Sequence, residues 1–120
     1  MSRVLVLCAD LLFGSRIEGQ LAAAGDAVEL LADRERVGAR LGEGAAPDVL
    51  IVDLMDETLA DAALAGVAGR SVATLGFYSH VDRDARERGE RSGLDLVVPR
   101  SRLAREAPAL VASLTLPRGR

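Results

Sequence analysis

Two stretches of the chain carry apolar residues without a break. One is Arg3-Val4-Leu5-Val6-Leu7-Cys8 and the other is Val49-Leu50-Ile51-Val52, entered through Pro47-Asp48. Three of the four apolar residues in the second stretch are β-branched. Runs of this kind suit strands covered on both faces of a parallel sheet. Each ends abruptly in a carboxylate, at Ala9-Asp10 and at Asp53. Ala27-Val28-Glu29-Leu30-Leu31 reads as a strand nearer a sheet edge, because a charge interrupts it. Ser71–Phe77 and Leu94–Val98 complete a set of five strands. Helical periodicity fills the gaps. Phe13, Ile17, Leu21 and Ala24 share one face before Gly25, and Val37 and Leu41 face inward on a short helix from Arg34, ended by Gly42 and Gly44. Leu59, Ala63 and Val67 form the stripe of a helix over 57–67. Val81, Ala85 and Gly89 form a thin stripe on a charged helix over 80–91. Leu103, Ala107, Leu110, Val111 and Leu114 line a final helix over 101–114.

Strand and helix therefore alternate five times. Right-handed crossovers turn that alternation into a doubly wound α/β domain, a parallel sheet with helices on both faces. Five units in 120 residues match the flavodoxin-like order 2-1-3-4-5. The expected domain covers residues 1–116, with 117–120 as a frayed tail. This order places the first and third strands side by side at the centre, as their apolar runs require. It also brings Asp10 and Asp53 together at the switch point, where open α/β sheets hold ligands. Local sequence alone leaves a second role open for Asp53, as the cap of the helix that begins near Glu57.

Composition narrows the chemistry. The core must be built from Leu, Val and Ala, since Phe13, Phe77 and Tyr78 are the only aromatics. All fifteen basic residues are Arg, so any mechanism that needs a lysine ammonium is excluded. The net charge of -3 and the lack of a basic stripe with interleaved aromatics argue against nucleic acid. No apolar run approaches membrane-spanning length. Cys8 is the single cysteine and cannot form an internal disulfide, which fits a reducing cytoplasm.

Pro47-Asp48-Val49-Leu50-Ile51-Val52-Asp53 resembles the strand that ends in the phospho-accepting aspartate of bacterial response-regulator receiver domains, the CheY-like family. The resemblance runs from end to end of the chain. It implies that Asp53 is the phosphoacceptor equivalent. Ala9-Asp10 takes the place of the acidic pair that binds magnesium in receivers, so Asp10 and Asp53 become a weak, degenerate Mg²⁺ site. Arg16-Ile17 lies in a receiver-like register, and Gly93–Arg100 resembles the closing strand. The departures are as informative. One acid of the pair is Ala9. The switch hydroxyl falls on Gly76, the switch aromatic on Val97 and the lysine on Arg100, followed by Ser101 where receivers carry proline. Arg100 is expected to reach Asp53 and to hold it in a bidentate pair. Such a pattern implies a pseudo-receiver.

Other chemistry reads more weakly. Ser79, His80 and Asp82 include the residue types of a hydrolase triad, but they are too close in sequence to orient one another, and a helix start capped by Ser79 accounts for them. His80 is the only histidine, so a histidine cluster for zinc is impossible. No glycine-rich nucleotide motif surrounds Gly14-Ser15. Asp10, Ser15, Arg16, Asp53, Ser79, His80, Arg100 and Ser101 should still gather near one edge of the sheet. The expectation is a stand-alone cytoplasmic receiver-like protein that is not an enzyme, needs no cofactor beyond weak Mg²⁺, and signals by binding a kinase or an effector. It should avoid nucleic acid and membranes and be a monomer or a weak homodimer, with salt-sensitive contacts through Arg83, Arg86 and Arg91. One alternative is a working receiver phosphorylated on Asp53 by a histidine kinase. Another is a small-molecule-binding protein or enzyme built on the polar edge.

Overall fold

The computed structural model describes residues 2–42, 45–79 and 81–115; Gly44, His80 and the expected tail over 117–120 lie outside them. The elements follow in order as β1 (Arg3–Leu7), α1 (Leu11–Ala23), β2 (Ala27–Leu31), α2 (Arg34–Gly42), β3 (Val49–Asp53), α3 (Glu57–Val67), β4 (Ala73–Tyr78), α4 (Arg83–Arg91), β5 (Leu96–Pro99) and α5 (Arg100–Thr115). All strand pairs are parallel and the sheet order is β2-β1-β3-β4-β5. This is the expected topology.

The period of two along each strand splits the core into two layers. Val4, Val6, Cys8, Val49, Ile51, Leu75, Phe77 and Val98 face α1 and α5. Leu5, Leu7, Leu50, Val52 and Tyr78 face α2, α3 and α4. β3 is buried along its whole length, whereas β2 is nowhere fully buried and alternates over residues 27–30. Removing either apolar run from a layer would forfeit about 1.5–3 kcal/mol for each large side chain exposed.

Aspartates organise both ends of the sheet. At the amino edge, the carboxylates of Asp26, Asp48 and Asp95 accept backbone N–H bonds from Ser2, Arg3 and Thr74. They satisfy donors that the ladder does not reach. At the opposite edge, Asp10, Asp56 and Asp82 cap α1, α3 and α4 through bonds from Phe13, Leu59 and Ala85. Asp53 is therefore not the cap of α3, and Ser79 is not the cap of α4. In both places an aspartate at the position before the first turn offers the better-placed acceptor.

Three further expectations shift. α4 begins at Arg83 rather than at residue 80, which leaves Val81 in the preceding turn and 78% exposed instead of facing inward. Ala24 is the exposed C-cap of α1, not part of its buried stripe, because Gly25 at φ 97° has already turned the chain away. α5 is not one smooth helix. Glu106 departs from helical geometry at φ -128°, and Pro108 cannot donate to the turn before it.

Two glycines shape the α4 side. A methyl group on Gly76 would fall 2.7 Å from Leu54 Cδ1, and one on Gly89 would fall 2.5 Å from the same atom. Leu54 thus fills the hollow that both glycines leave, and α4 lies close against β4 and β5.

Candidate functional site at the carboxyl edge of the sheet

β1 and β3 are paired, so the chain leaving each delivers Asp10 and Asp53 to the same edge, as the sequence required. Their surroundings differ. Asp53 is only 8% exposed. Its Oδ1 accepts the Met55 backbone N–H at 2.9 Å, and its Oδ2 lies 3.9 Å from Cys8 Sγ. Burial pushes its carboxyl above the ordinary value, with the Met55 N–H and the Arg100 charge opposing. Cys8 is buried too, its Sγ 3.3 Å from the Asp10 carbonyl. Burial first, and the Asp53 charge second, raise its thiol to about 11.

Asp10 is exposed, and each of its oxygens has a hydrogen-bond partner. Its Oδ1 accepts the Phe13 N–H at 3.1 Å, and its Oδ2 accepts from Arg100 Nη2 at 2.6 Å. The Arg100 hydrogen bond chiefly holds this carboxyl below its usual value. The expected Arg100–Asp53 pair is therefore replaced by an Arg100–Asp10 pair. The reason is geometric. The Arg100 guanidinium lies over the Phe13 ring, 4.1 Å from its centroid. Phe13 sits one turn into the helix that Asp10 caps, so stacking on the ring brings the cation to Asp10. Asp53 lies deeper, level with Phe77.

The strand register also sets which way the expected switch positions face. Gly76 pairs with Val52 and with Val97, one residue before the level of Asp53. Side chains alternate, so Gly76 and Val97 belong to the α4 face, where Leu54, Leu94 and Gly89 lie close to them. On β4 the residue beside Asp53 on its own face is Phe77, whose ring centroid is 5.1 Å from that of Phe13. An aromatic pair thus stands on the α1/α5 side of the carboxylate, where a hydroxyl is absent. In the sequence Phe77 has the character of a plain core residue. Counting by twos back from the strand ends would have found it.

Of the remaining polar residues, Arg16, Ser79, Arg100 and Ser101 come together with Phe13 and Ala104 around a cleft of about 380 Å³. Ser15 is exposed on α1 and is not among its walls. Nothing is described for His80.

Magnesium fits this edge poorly. Both Asp10 oxygens already accept hydrogen bonds, one from a guanidinium, and Ala9 supplies no carboxylate. Among the described residues no group of three acidic, histidine or cysteine side chains could hold a metal ion. Mg²⁺ is usually held by one or two carboxylates, so the guanidinium on Asp10 competes directly with the ion.

The fold is that of response-regulator receiver domains, the CheY-like fold. A receiver protein from Burkholderia phymatum superposes with a TM-score of 0.84 at 20% identity, covering 95% of this chain and 94% of the other. The non-phosphorylated HemR receiver domain of Leptospira biflexa gives 0.76 at 21% identity, covering 100% and 99%. A putative response regulator from Chloroflexus aurantiacus gives 0.80 at 19% identity, covering 94% and 96%. No protein-family model and no curated protein sequence matches the chain.

Proposed function

We propose that this chain is a receiver-like signalling protein of the cytoplasm that acts by binding a protein partner, a kinase or an effector, without efficient phosphorylation of Asp53. The observation that carries the reading is the Arg100–Asp10 pair. Phosphoryl transfer to a carboxylate needs a cation where charge builds on the equatorial oxygens. Here the carboxylate that would help hold that cation is occupied by an arginine, and a phenyl ring rather than a hydroxyl lies level with the acceptor. The protein is not read as an enzyme.

The surface supports a protein partner. Among the described residues the exposed large apolar ones are Leu11, Leu12, Met55 and Val81, at 59%, 88%, 44% and 78% exposure. All four follow β1, β3 or β4, three adjacent strands, at the same edge. Exposed apolar groups gathered in one region mark contact surfaces. No helix among the described residues is long and apolar enough to cross a membrane, and the negative net charge disfavours nucleic acid. We read the chain as a monomer or weak homodimer. Of the arginines expected to meet a partner, Arg86 is tied to Glu90, while Arg83 and Arg91 have no ion pair among the described residues.

Acetyl phosphate with Mg²⁺, followed by intact mass, tests the reading. Most of the protein should stay unmodified. Near-complete gain of one phosphoryl group, abolished in Asp53→Ala, would establish the working phosphoacceptor instead.

A further inference from the structure

The cleft between α1, the β4–α4 turn and α5 shares Arg100 with the pair above, and its other walls have no part in that reading. Its floor includes the Phe13 ring, and Ala104 adds an apolar wall. Its polar groups keep hydrogen-bonding capacity that the described residues do not use. Arg16 makes no hydrogen bond or ion pair among the described residues, and the hydroxyls of Ser79 and Ser101 have no partner there either. Arg100 gives one N–H to Asp10, and a guanidinium has five. Its plane is fixed by the Phe13 ring on one side and by Asp10 at one end. Among the described residues Asp10 is the one carboxylate ion-paired with these groups, and Arg100 neutralises it. An unpaired arginine, a preorganised arginine and two free hydroxyls thus surround one small volume with an apolar floor.

Ligand sites commonly have this composition, a mostly apolar lining with a few convergent polar groups, and in open α/β folds they lie at this edge of the sheet. A volume of about 380 Å³ suits a compact molecule. Arginines and hydroxyls recognise planar or tetrahedral anions, and guanidinium does so bidentately. We propose that this cleft binds a small anion carrying a compact apolar body, such as an aryl or short acyl carboxylate or phosphate monoester. The head group meets Arg16, Arg100, Ser79 and Ser101, and the body lies against Ala104 and the part of Phe13 that Arg100 leaves uncovered. The binding step is non-covalent and leaves Asp53 untouched.

Titration of ¹⁵N-labelled full-length protein with phenyl phosphate, benzoate, inorganic phosphate and benzyl alcohol tests the proposal. Phenyl phosphate or benzoate should produce saturable amide shifts centred on Phe13, Ser79 and Ser101, and whichever binds tighter names the head group. Inorganic phosphate and benzyl alcohol, each lacking half of the match, should bind at least about tenfold more weakly. Arg16→Gln, on the exposed face of α1, should weaken the tighter probe about tenfold without altering the spectrum elsewhere. Ser101→Ala should weaken it by a smaller factor. Binding should persist in Asp53→Ala. Absence of saturation by either aryl anion at millimolar concentration, or equal affinity in Arg16→Gln, overturns the proposal. Neither result bears on the acetyl phosphate experiment, so the two readings fail separately.

Discussion

Leu54 offers a sharp test of how the α4 side is assembled. Its Cδ1 lies where side chains on both Gly76 and Gly89 would be. Gly89→Ala has two opposing effects. Alanine improves helix propensity by about 1 kcal/mol in a helix interior. The added methyl meets Leu54 Cδ1 at 2.5 Å and the two Val97 methyls at 3.2 and 3.3 Å. Val97 is β-branched and stiff at χ1. Leu54 is 2% exposed and can yield only by changing rotamer. Overpacking of this kind costs about 1–3 kcal/mol, so the net loss should be about 1 kcal/mol. Leu54→Ala alone should cost about 3 kcal/mol through lost transfer energy and the cavity left behind. In the double variant the methyl introduced by Gly89→Ala enters the space that Leu54 vacated, and the propensity gain is recovered. The double variant should therefore lose about 2 kcal/mol rather than the additive sum of about 4 kcal/mol. Urea unfolding of the four proteins at one pH measures the cycle. Additivity to within about 0.5 kcal/mol would refute the shared hollow.

Two titratable groups give further outcomes. Burial raises the Asp53 pKa, so its charged form is disfavoured by folding. Its stabilising contribution is present in full below the unfolded pKa and is lost as pH rises through the folded one. Asp53→Asn should therefore raise the melting temperature at neutral pH, with the gain shrinking as pH falls below the carboxylate range; an equal gain at all pH values would contradict the assignment. Cys8, with its thiol near 11 and its side chain buried, should react slowly with Ellman's reagent at pH 8 and at the rate of a free thiol once urea unfolds the chain. Rapid reaction of the native protein would show that the edge opens readily.

Most of the architecture was legible because the apolar runs of β1 and β3 admit one arrangement, two central strands covered on both faces. The meeting of Asp10 and Asp53 followed from that alone. What sequence did not disclose was side-chain direction. Gly76 and Val97 occupy the expected places along the chain, yet the pleat turns them toward α4, and Phe77 takes the place beside Asp53. Alignment along the chain pairs Arg100 with Asp53. The Phe13 ring redirects it to Asp10, and no pattern within β5 or α5 signals that contact. The caps are ambiguous in sequence because serine and aspartate serve almost equally well there. The backbone selects Asp56 and Asp82, each three residues before the N–H that it accepts.

The proposed function holds that Asp53 is not efficiently phosphorylated. Beryllofluoride with Mg²⁺ mimics an aspartyl phosphate and needs the same carboxylate and the same cation. Amide spectra of the labelled protein at saturating beryllofluoride and Mg²⁺ should match those of the free protein around Asp53, Met55 and Phe77. A second set of signals from these residues, in slow exchange and lost in Asp53→Ala, would contradict the account.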